Sequence, residues 1–380
     1  MDFELSWEQQ QLRSAVREFA QREIVPLADE ADEKQHFPIE LFPKMGSMGY
    51  LCVRYPQKYG ALGVGKVDEC GVLEELGKVD SGIASAVMVQ SGIGTALVLD
   101  NGSEEQKQGY IVPAIKGQKI GCFGLTEPNA GSDAAAIEAT AVKKNGKYVI
   151  NATKMFITNG GIADFCCVAA YTDKSKGPRG GVSVILVDRG TPGFRVSREL
   201  NKLGFRSSAT AELVFQDCEV PASNLVGEEG KGFPYLMNTL KGGRISHAAR
   251  SLGMTEAAYE ASVKYANERI QFGKPIGKNQ AVSFKIVDMA TEIEAARWLI
   301  YRAAYLYDKG EPCLKEACMA KMFMGDLSKR VCTDALQIHA GYGYMMESPI
   351  QRYYRDAALN TITEGTAEIQ ANVIARELGL

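Results

Sequence analysis

Close to the end of the chain, Thr363-Glu364-Gly365-Thr366 places a carboxylate directly before a glycine. Glu364 has the chemistry of a general base, and Gly365, lacking a side chain, lets the backbone turn tightly and approach a ligand. The same residues also read as a helix start, because Thr366 suits an N-cap ahead of Ala367-Glu368-Ile369-Gln370. Two other segments mix polar groups with turn formers: Phe123-Gly-Leu-Thr-Glu-Pro-Asn-Ala-Gly-Ser-Asp133 and Lys154-Met-Phe-Ile-Thr-Asn-Gly160. The first combines a strand with a turn, and taken by itself serves equally well as a structural loop. Arg269, in Arg269-Ile-Gln-Phe-Gly-Lys-Pro275, carries a planar fork of donors matched to phosphate oxygens, although an isolated arginine there also reads as a solvated surface charge.

Three kinds of element must position these residues. Helical periodicity opens the chain, with Ser6 and Gln9 as a capping box, Leu12, Val16 and Phe19 on one face, and Pro26 marking an end or a bend. Further helical signals run through Ile39–Gly49, Asp68–Val79 and Ser103–Ile115. Ser81–Leu99 has no charged residue, but its serines, Gln90, Thr95 and three glycines are too polar for a lipid-facing span, so a helix buried in protein is expected. Strand patterns follow. Asn145-Gly146 between Ala139–Val142 and Tyr148–Ile150 predicts a hairpin, and Phe165–Tyr171, Val182–Asp188 and Ala211–Phe215 add short β-rich runs. Beyond Gly227-Glu-Glu-Gly-Lys-Gly232 the helical period returns, and Ile286, Met289, Ile293, Ala296, Ile300 and Ala303 form the stripe of a long bundle helix.

The reading is therefore α+β: an N-terminal helical domain over 1–118, a central β-domain over 119–226 and a C-terminal four-helix bundle over 227–380. Lys and Arg number 43 against 46 Asp and Glu, with no basic tract, which argues against nucleic acid as a partner. Nine cysteines with no C-x-x-C pair point to reduced thiols, and the dispersed His36, His247 and His339 lack metal-ligand spacing. Met1-Asp2-Phe3-Glu4 has neither the basic start nor the apolar core of a signal peptide, so the expected location is a bacterial cytoplasm, with an organelle matrix as the alternative, and no membrane association is expected. Neither a Walker A motif nor a G-x-G-x-x-G is present.

In order and spacing, the segments at 123–133, 154–160, 269–280, 337–344 and 363–370 resemble the acyl-CoA dehydrogenases over essentially the whole chain. The resemblance implies FAD held between the β-domain and the C-terminal bundle, a homotetramer whose neighbouring subunit touches the flavin, an acyl-CoA substrate, and electron-transfer flavoprotein as the electron acceptor. It further implies that Phe123, Leu125, Thr126 and Ser132 line the flavin, with Thr126 against the ring and Ser132 also meeting the CoA ester. Phe156, Ile157 and Thr158 match the second flavin segment, where an aromatic covers a ring face and a hydroxyl reaches its polar edge. Phe156 stands where Trp is common. Arg269, Phe272 and Gln280 match the segment reaching into the neighbour's FAD, Gln337 and Gly341 its companion loop at the adenosine, and Thr366 and Glu368 complete the cofactor-binding set. His339 and Ala340 depart from the usual apolar residue and Gly.

By the same resemblance, Arg244 meets the CoA portion and Lys241 replaces a common Asp. Glu364 would take the α-proton as hydride leaves the β-carbon, with Gly365 beside the thioester. Some relatives place the base one residue before the arginine, but that position is Gly243 here. Glutaryl-type enzymes carry an arginine near Ala84, and none of the residues from Ser81 to Leu99 is charged, so a neutral acyl group is expected. Thr363 replaces a common Tyr. The space so vacated predicts a branched or alicyclic substrate such as cyclohexanecarboxyl-CoA, with a straight short chain as the alternative.

Overall fold

The structure, a computed structural model, describes residues 4–380. The signal-peptide reading of Met1–Phe3 lies outside these residues. Helix Trp7–Phe19 starts at the Ser6 cap, where Ser6 Oγ accepts the Gln9 N–H at 3.3 Å and Gln9 Oε1 accepts the Ser6 N–H at 3.0 Å. Its buried Val16 and Phe19 face the core. A π-helical turn, Ala20–Ile24, then passes the chain into helix Val25–Lys34, so Pro26 sits in a first turn, where its missing N–H costs nothing.

The uncharged stretch is buried, yet it is two helices, Ser81–Gln90 and Ala96–Asn101, rather than the single helix expected. Small polar residues cause the break: Thr95 Oγ1 donates to the Gln90 carbonyl at 2.6 Å, and Ser91 Oγ accepts the Cys52 N–H at 2.8 Å. Among the described residues no helix is long and apolar enough to cross a membrane.

Seven strands form one sheet: β1 Gly121–Gly124, β2 Thr140–Lys144, β3 Lys147–Thr158, β4 Phe165–Tyr171, β5 Val182–Asp188, β6 Phe194–Glu199 and β7 Thr210–Pro221. Their order is β1-β4-β2-β3-β7-β6, with β5 paired to β4. The predicted hairpin joins β2 to β3, and Asn145 and Gly146 both have positive φ, 51° and 74°, as a two-residue turn of that hand requires.

The C-terminal unit packs helices Gly232–Glu268, Gln280–Asp308, Leu314–Gly343 and Ala367–Glu377. Met289, Ile293, Ala296, Ile300 and Ala303 are buried along the predicted stripe. The 337–344 segment is helical to Gly343, not a loop, with one break at Ala340 (φ 50°, ψ −135°). Helix Lys66–Val79 ties the first unit to this bundle: buried Glu74 takes Arg13 and Arg297, each at 2.6 Å, and buried Glu75 takes Arg13 and Arg17 at 2.9 Å. Removing one partner of such a buried set costs about 3–5 kcal/mol, because a charge is left uncompensated. All nine cysteines are buried and unpaired.

Candidate active site

Glu364 enters the site on a turn that its sequence alone would not hold. Its φ is 58° and that of Gly365 is 92°. A non-glycine residue at positive φ is disfavoured, so neighbours must pin it. Lys321 Nζ donates to the Gly365 carbonyl at 2.7 Å, and Gln370 Nε2 donates to the carbonyls of Glu364 and Gly365, both at 2.9 Å. Thr366 caps helix Ala367–Glu377 by accepting the Ile369 N–H at 3.4 Å. The helix-start reading of the tetrapeptide holds, and that helix start is what presents the carboxylate.

Glu364 as a whole is half-buried, but its Oε2 is sealed from solvent and has no hydrogen-bond partner. An orphaned buried acceptor costs roughly 1–3 kcal/mol, which marks this oxygen as one awaiting a ligand. Gly243 makes room for it: a Cβ there would stand 2.8 Å from Oε2. Burial raises the Glu364 pKa, while the cations of Arg244, Lys321 and Arg250 pull it back. Arg244 is buried, and its Nε has no partner. Behind the base, Thr363 Oγ1 lies 2.9 Å from Nε2 of buried His247, whose pKa burial and the Arg250 and Lys321 charges depress well below the ordinary value. Lys321, Gln370, Arg250 and His247 are site residues that sequence reasoning did not assign.

In front of Glu364 lies a cavity of about 30 Å³. Met88, Ile93, Ala96 and Leu99 form an apolar part of its wall, and Gly242, Gly243 and Thr239 another part. Of the uncharged stretch Ser81–Leu99, Met88, Ile93, Ala96 and Leu99 line the cavity, and Ala84, near the glutaryl-type arginine position, does not.

The two flavin segments of the sequence reading are brought together on the β-domain. The Met155 N–H donates to the Thr126 carbonyl at 2.9 Å, and Lys154 Nζ reaches the Leu125 carbonyl at 3.0 Å and Glu127 at 2.7 Å. Leu125 and Ile157 are buried, Phe123, Thr126 and Thr158 half-buried, and Ser132 exposed. Phe156 projects outward at 68% exposure from a backbone of φ 61°. A bulky aromatic held outward against both solvation and backbone preference fits a ligand ring stacking on it.

A separate open cleft of about 410 Å³ contains Arg269 and Gly341, with Tyr265, Ile338 and His339 beside them. The Arg269 guanidinium lies over the Tyr342 ring at 5.4 Å, and His339 stacks on Tyr265 at 4.4 Å. The cleft has the size and the mix of aromatic and cationic groups of a nucleotide site. Phe272 is 98% exposed, and Gln280, Gln337 and Glu368 are exposed as well, with no ligand-directed contact inside the chain. The outward Phe156 suits a planar ring and, apart from it, the arginine-bearing cleft suits a pyrophosphate or nucleotide, the two parts that FAD combines.

Comparison with known proteins matches residues 6–118 to the acyl-CoA dehydrogenase N-terminal domain, 122–218 to the middle domain and 230–379 to the C-terminal domain. A short-chain specific acyl-CoA dehydrogenase of Clostridium acetobutylicum is 43% identical over 378 residues, covering 100% of each chain. Butyryl-CoA dehydrogenase from Megasphaera elsdenii superposes with a TM-score of 0.97 at 42% identity, covering 100% of each chain. A chain from work on the electron transferring flavoprotein of Acidaminococcus fermentans and flavin-based electron bifurcation superposes with a TM-score of 0.97 at 45% identity, covering 100% of this chain and 99% of that one. Alike in fold and in sequence along its whole length to enzymes of one kind, the chain belongs to the acyl-CoA dehydrogenases, a family of FAD-dependent flavoenzymes.

Proposed function

We propose that the protein dehydrogenates a short, straight-chain acyl-CoA to the 2,3-enoyl-CoA and passes the electrons to electron-transfer flavoprotein. The observation that carries this reading is the buried, unpartnered Oε2 of Glu364 facing a small cavity. Glu364 takes the α-hydrogen as a proton, and the C–H pair it leaves forms the new C=C bond. Bound FAD supplies the acceptor for the β-hydrogen and its electron pair. Arg244, with a free buried Nε, meets the CoA portion, and the clamp of Lys321 and Gln370 fixes the turn so that the carboxylate keeps one position.

Phe123, Leu125, Thr126 and Ser132, with Phe156, Ile157 and Thr158, would hold the flavin end of FAD in the same chain. Arg269, with Phe272, Gln280, Gln337 and Gly341, would serve the cofactor of a neighbouring subunit. Support for that second role is the absence of β-domain residues from the Arg269 cleft and the exposure of the large apolar side chains Phe272, Phe284, Val287 and Tyr344. A homotetramer accounts for both.

The short-chain reading replaces the branched or alicyclic one. Relatives named for short-chain and butyryl substrates support it, and so does His247, whose buried ring stands against Thr363 in the region a larger residue there would need. Anaerobic addition of butyryl-CoA to the holoenzyme is the test, with bleaching of the oxidised flavin band expected. A flavin unreduced by any C4 to C6 acyl-CoA would overturn the proposal.

A further inference from the structure

The cavity in front of Glu364 is apolar on one side only. Arg54, Lys66, Asp100, Ser246 and Tyr307 line the rest of it. Lys66 is 1% exposed, and its ammonium donates to Glu69 at 2.8 Å and to Ser246 Oγ at 2.6 Å. Ser246 Oγ in turn donates to Glu69 at 2.5 Å, and Arg54 pairs with Glu69 through Nε. The ring of Tyr307 lies 5.4 Å from the Arg54 guanidinium and 5.5 Å from the Lys66 ammonium. Burial disfavours the Glu69 carboxylate, but Arg54 and Lys66 outweigh it and hold its pKa at about 2.

Two carboxyls, Glu69 and Asp100, match the two cations in number, so this wall demands no net charge from a ligand. Its hydrogen-bonding balance is lopsided. Lys66 has three N–H bonds and two partners, and Arg54 gives its Nε–H to Glu69 and keeps four further donors; of the other carboxylates at the cavity, Asp100 is exposed and Glu364 Oε2 stands at the opposite, reacting end. A methyl terminus seated here would displace water from buried ionic groups and return nothing, whereas an acceptor oxygen would replace that water. At about 30 Å³ the cavity holds little more than one such small group.

We infer that the acyl chain this cavity takes ends in an uncharged hydrogen-bond-accepting oxygen, such as a ketone, received by Lys66 and Arg54, rather than in plain hydrocarbon. The inference rests on the dehydrogenase reading and narrows its substrate class. Three thioesters of equal chain length decide it: pentanoyl-CoA, 4-oxopentanoyl-CoA and glutaryl-CoA, compared by kcat/KM for flavin reduction in the holoenzyme, with butyryl-CoA as the reference. The expected result is that 4-oxopentanoyl-CoA exceeds pentanoyl-CoA at least tenfold and that glutaryl-CoA does not. Lys66→Met should then cut that ratio at least tenfold. If Lys66→Met fails to fold, the wild-type ranking decides alone. Pentanoyl-CoA equal to or better than 4-oxopentanoyl-CoA, or glutaryl-CoA better than both, overturns the inference while leaving the dehydrogenase reading intact. Bleaching by none of the four removes both.

Discussion

The ammonium of Lys321 lies 2.7 Å from the carbonyl oxygen of Gly365, one peptide beyond the catalytic candidate Glu364. One side chain therefore holds the strained turn and places a positive charge near the carboxylate. Lys321→Met should keep the fold and the flavin spectrum but lower kcat/KM, by up to about 10²-fold if the carboxylate shifts by an ångström. Loss of the cation should also move the acid limb of the pH profile upward, because the effect of burial on Glu364 is then less offset. A variant with reduced rate and an unmoved profile would mean that Lys321 acts through geometry alone.

Glu364→Gln removes the proposed base and leaves its shape. Flavin reduction by butyryl-CoA should fall by roughly 10²–10⁴-fold with cofactor content unchanged. Stability should move the other way. The folded pKa of Glu364 is raised, so its protonated form favours folding at low pH, and that contribution is lost as pH rises through the folded pKa. The variant should therefore melt higher than wild type near pH 8 and no higher near pH 4, which thermal melts at the two pH values will measure.

A second buried acid gives a pH signature away from the active site. Asp356, 2% exposed, accepts the Phe205 N–H at 2.6 Å where all three units meet, and burial and nearby Asp80 push its pKa up to about 7 against the pull of Arg352 and Arg355. Raised from the ordinary 3.8, it contributes stability below pH 4 that is lost as pH rises through about 7. Three pKa units correspond to roughly 4 kcal/mol, so the effect is measurable in melts. Asp356→Asn should flatten the fall in Tm between pH 6 and 8.5, and an equally steep fall in the variant would assign the pH dependence to other groups.

The parts of this molecule legible in the sequence are those with a local cause. The Ser6 capping box, the Asn145-Gly146 hairpin and the stripe from Met289 to Ala303 each follow from short-range geometry, and the structure has them where the pattern puts them. Glu364 stands out in the sequence through its glycine neighbour and the family resemblance, and the structure gives it a buried, unpartnered Oε2. Lys321 was not, although one signal existed: it interrupts the buried face of Ala317, Ala320, Met324 and Leu327, and a lysine on an apolar helix face needs an acceptor. Lys66 and Glu69 carried no signal in the sequence, Lys66 lying before the helical stretch read from Asp68. Only the packing of helix Gly232–Glu268 over them, bringing Ser246 within 2.6 Å, makes them a cavity wall.

Arg269 tests the neighbouring-subunit role. If its guanidinium serves a partner's cofactor, Arg269→Ala should lower flavin content and shift the sedimentation profile toward smaller species together. The chain itself should still fold, since the side chain is half-buried and its one ring contact, to Tyr342, is at the surface. Full flavin loading with an unchanged sedimentation profile would reduce Arg269 to a surface charge.

The wall beside the base is set by Thr363 and His247 together. Thr363 is small, but its hydroxyl lies 2.9 Å from His247 Nε2, and the buried imidazole stands in the space that a larger residue would claim. The neutral ring is held there by packing rather than charge, because burial and two nearby cations keep it deprotonated. Thr363→Tyr should therefore clash and destabilise, as overpacking does, by about 1–3 kcal/mol. His247→Ala is the change that opens the wall. It should cost roughly 2–5 kcal/mol of stability through the cavity it leaves, and raise the isobutyryl-CoA to butyryl-CoA ratio of kcat/KM by about tenfold, the worth of one methylene's room. Wild type should rank butyryl-CoA above both isobutyryl- and cyclohexanecarboxyl-CoA. A wild-type preference for the cyclic ester would mean that His247 swings aside and that the wide site predicted from Thr363 exists after all.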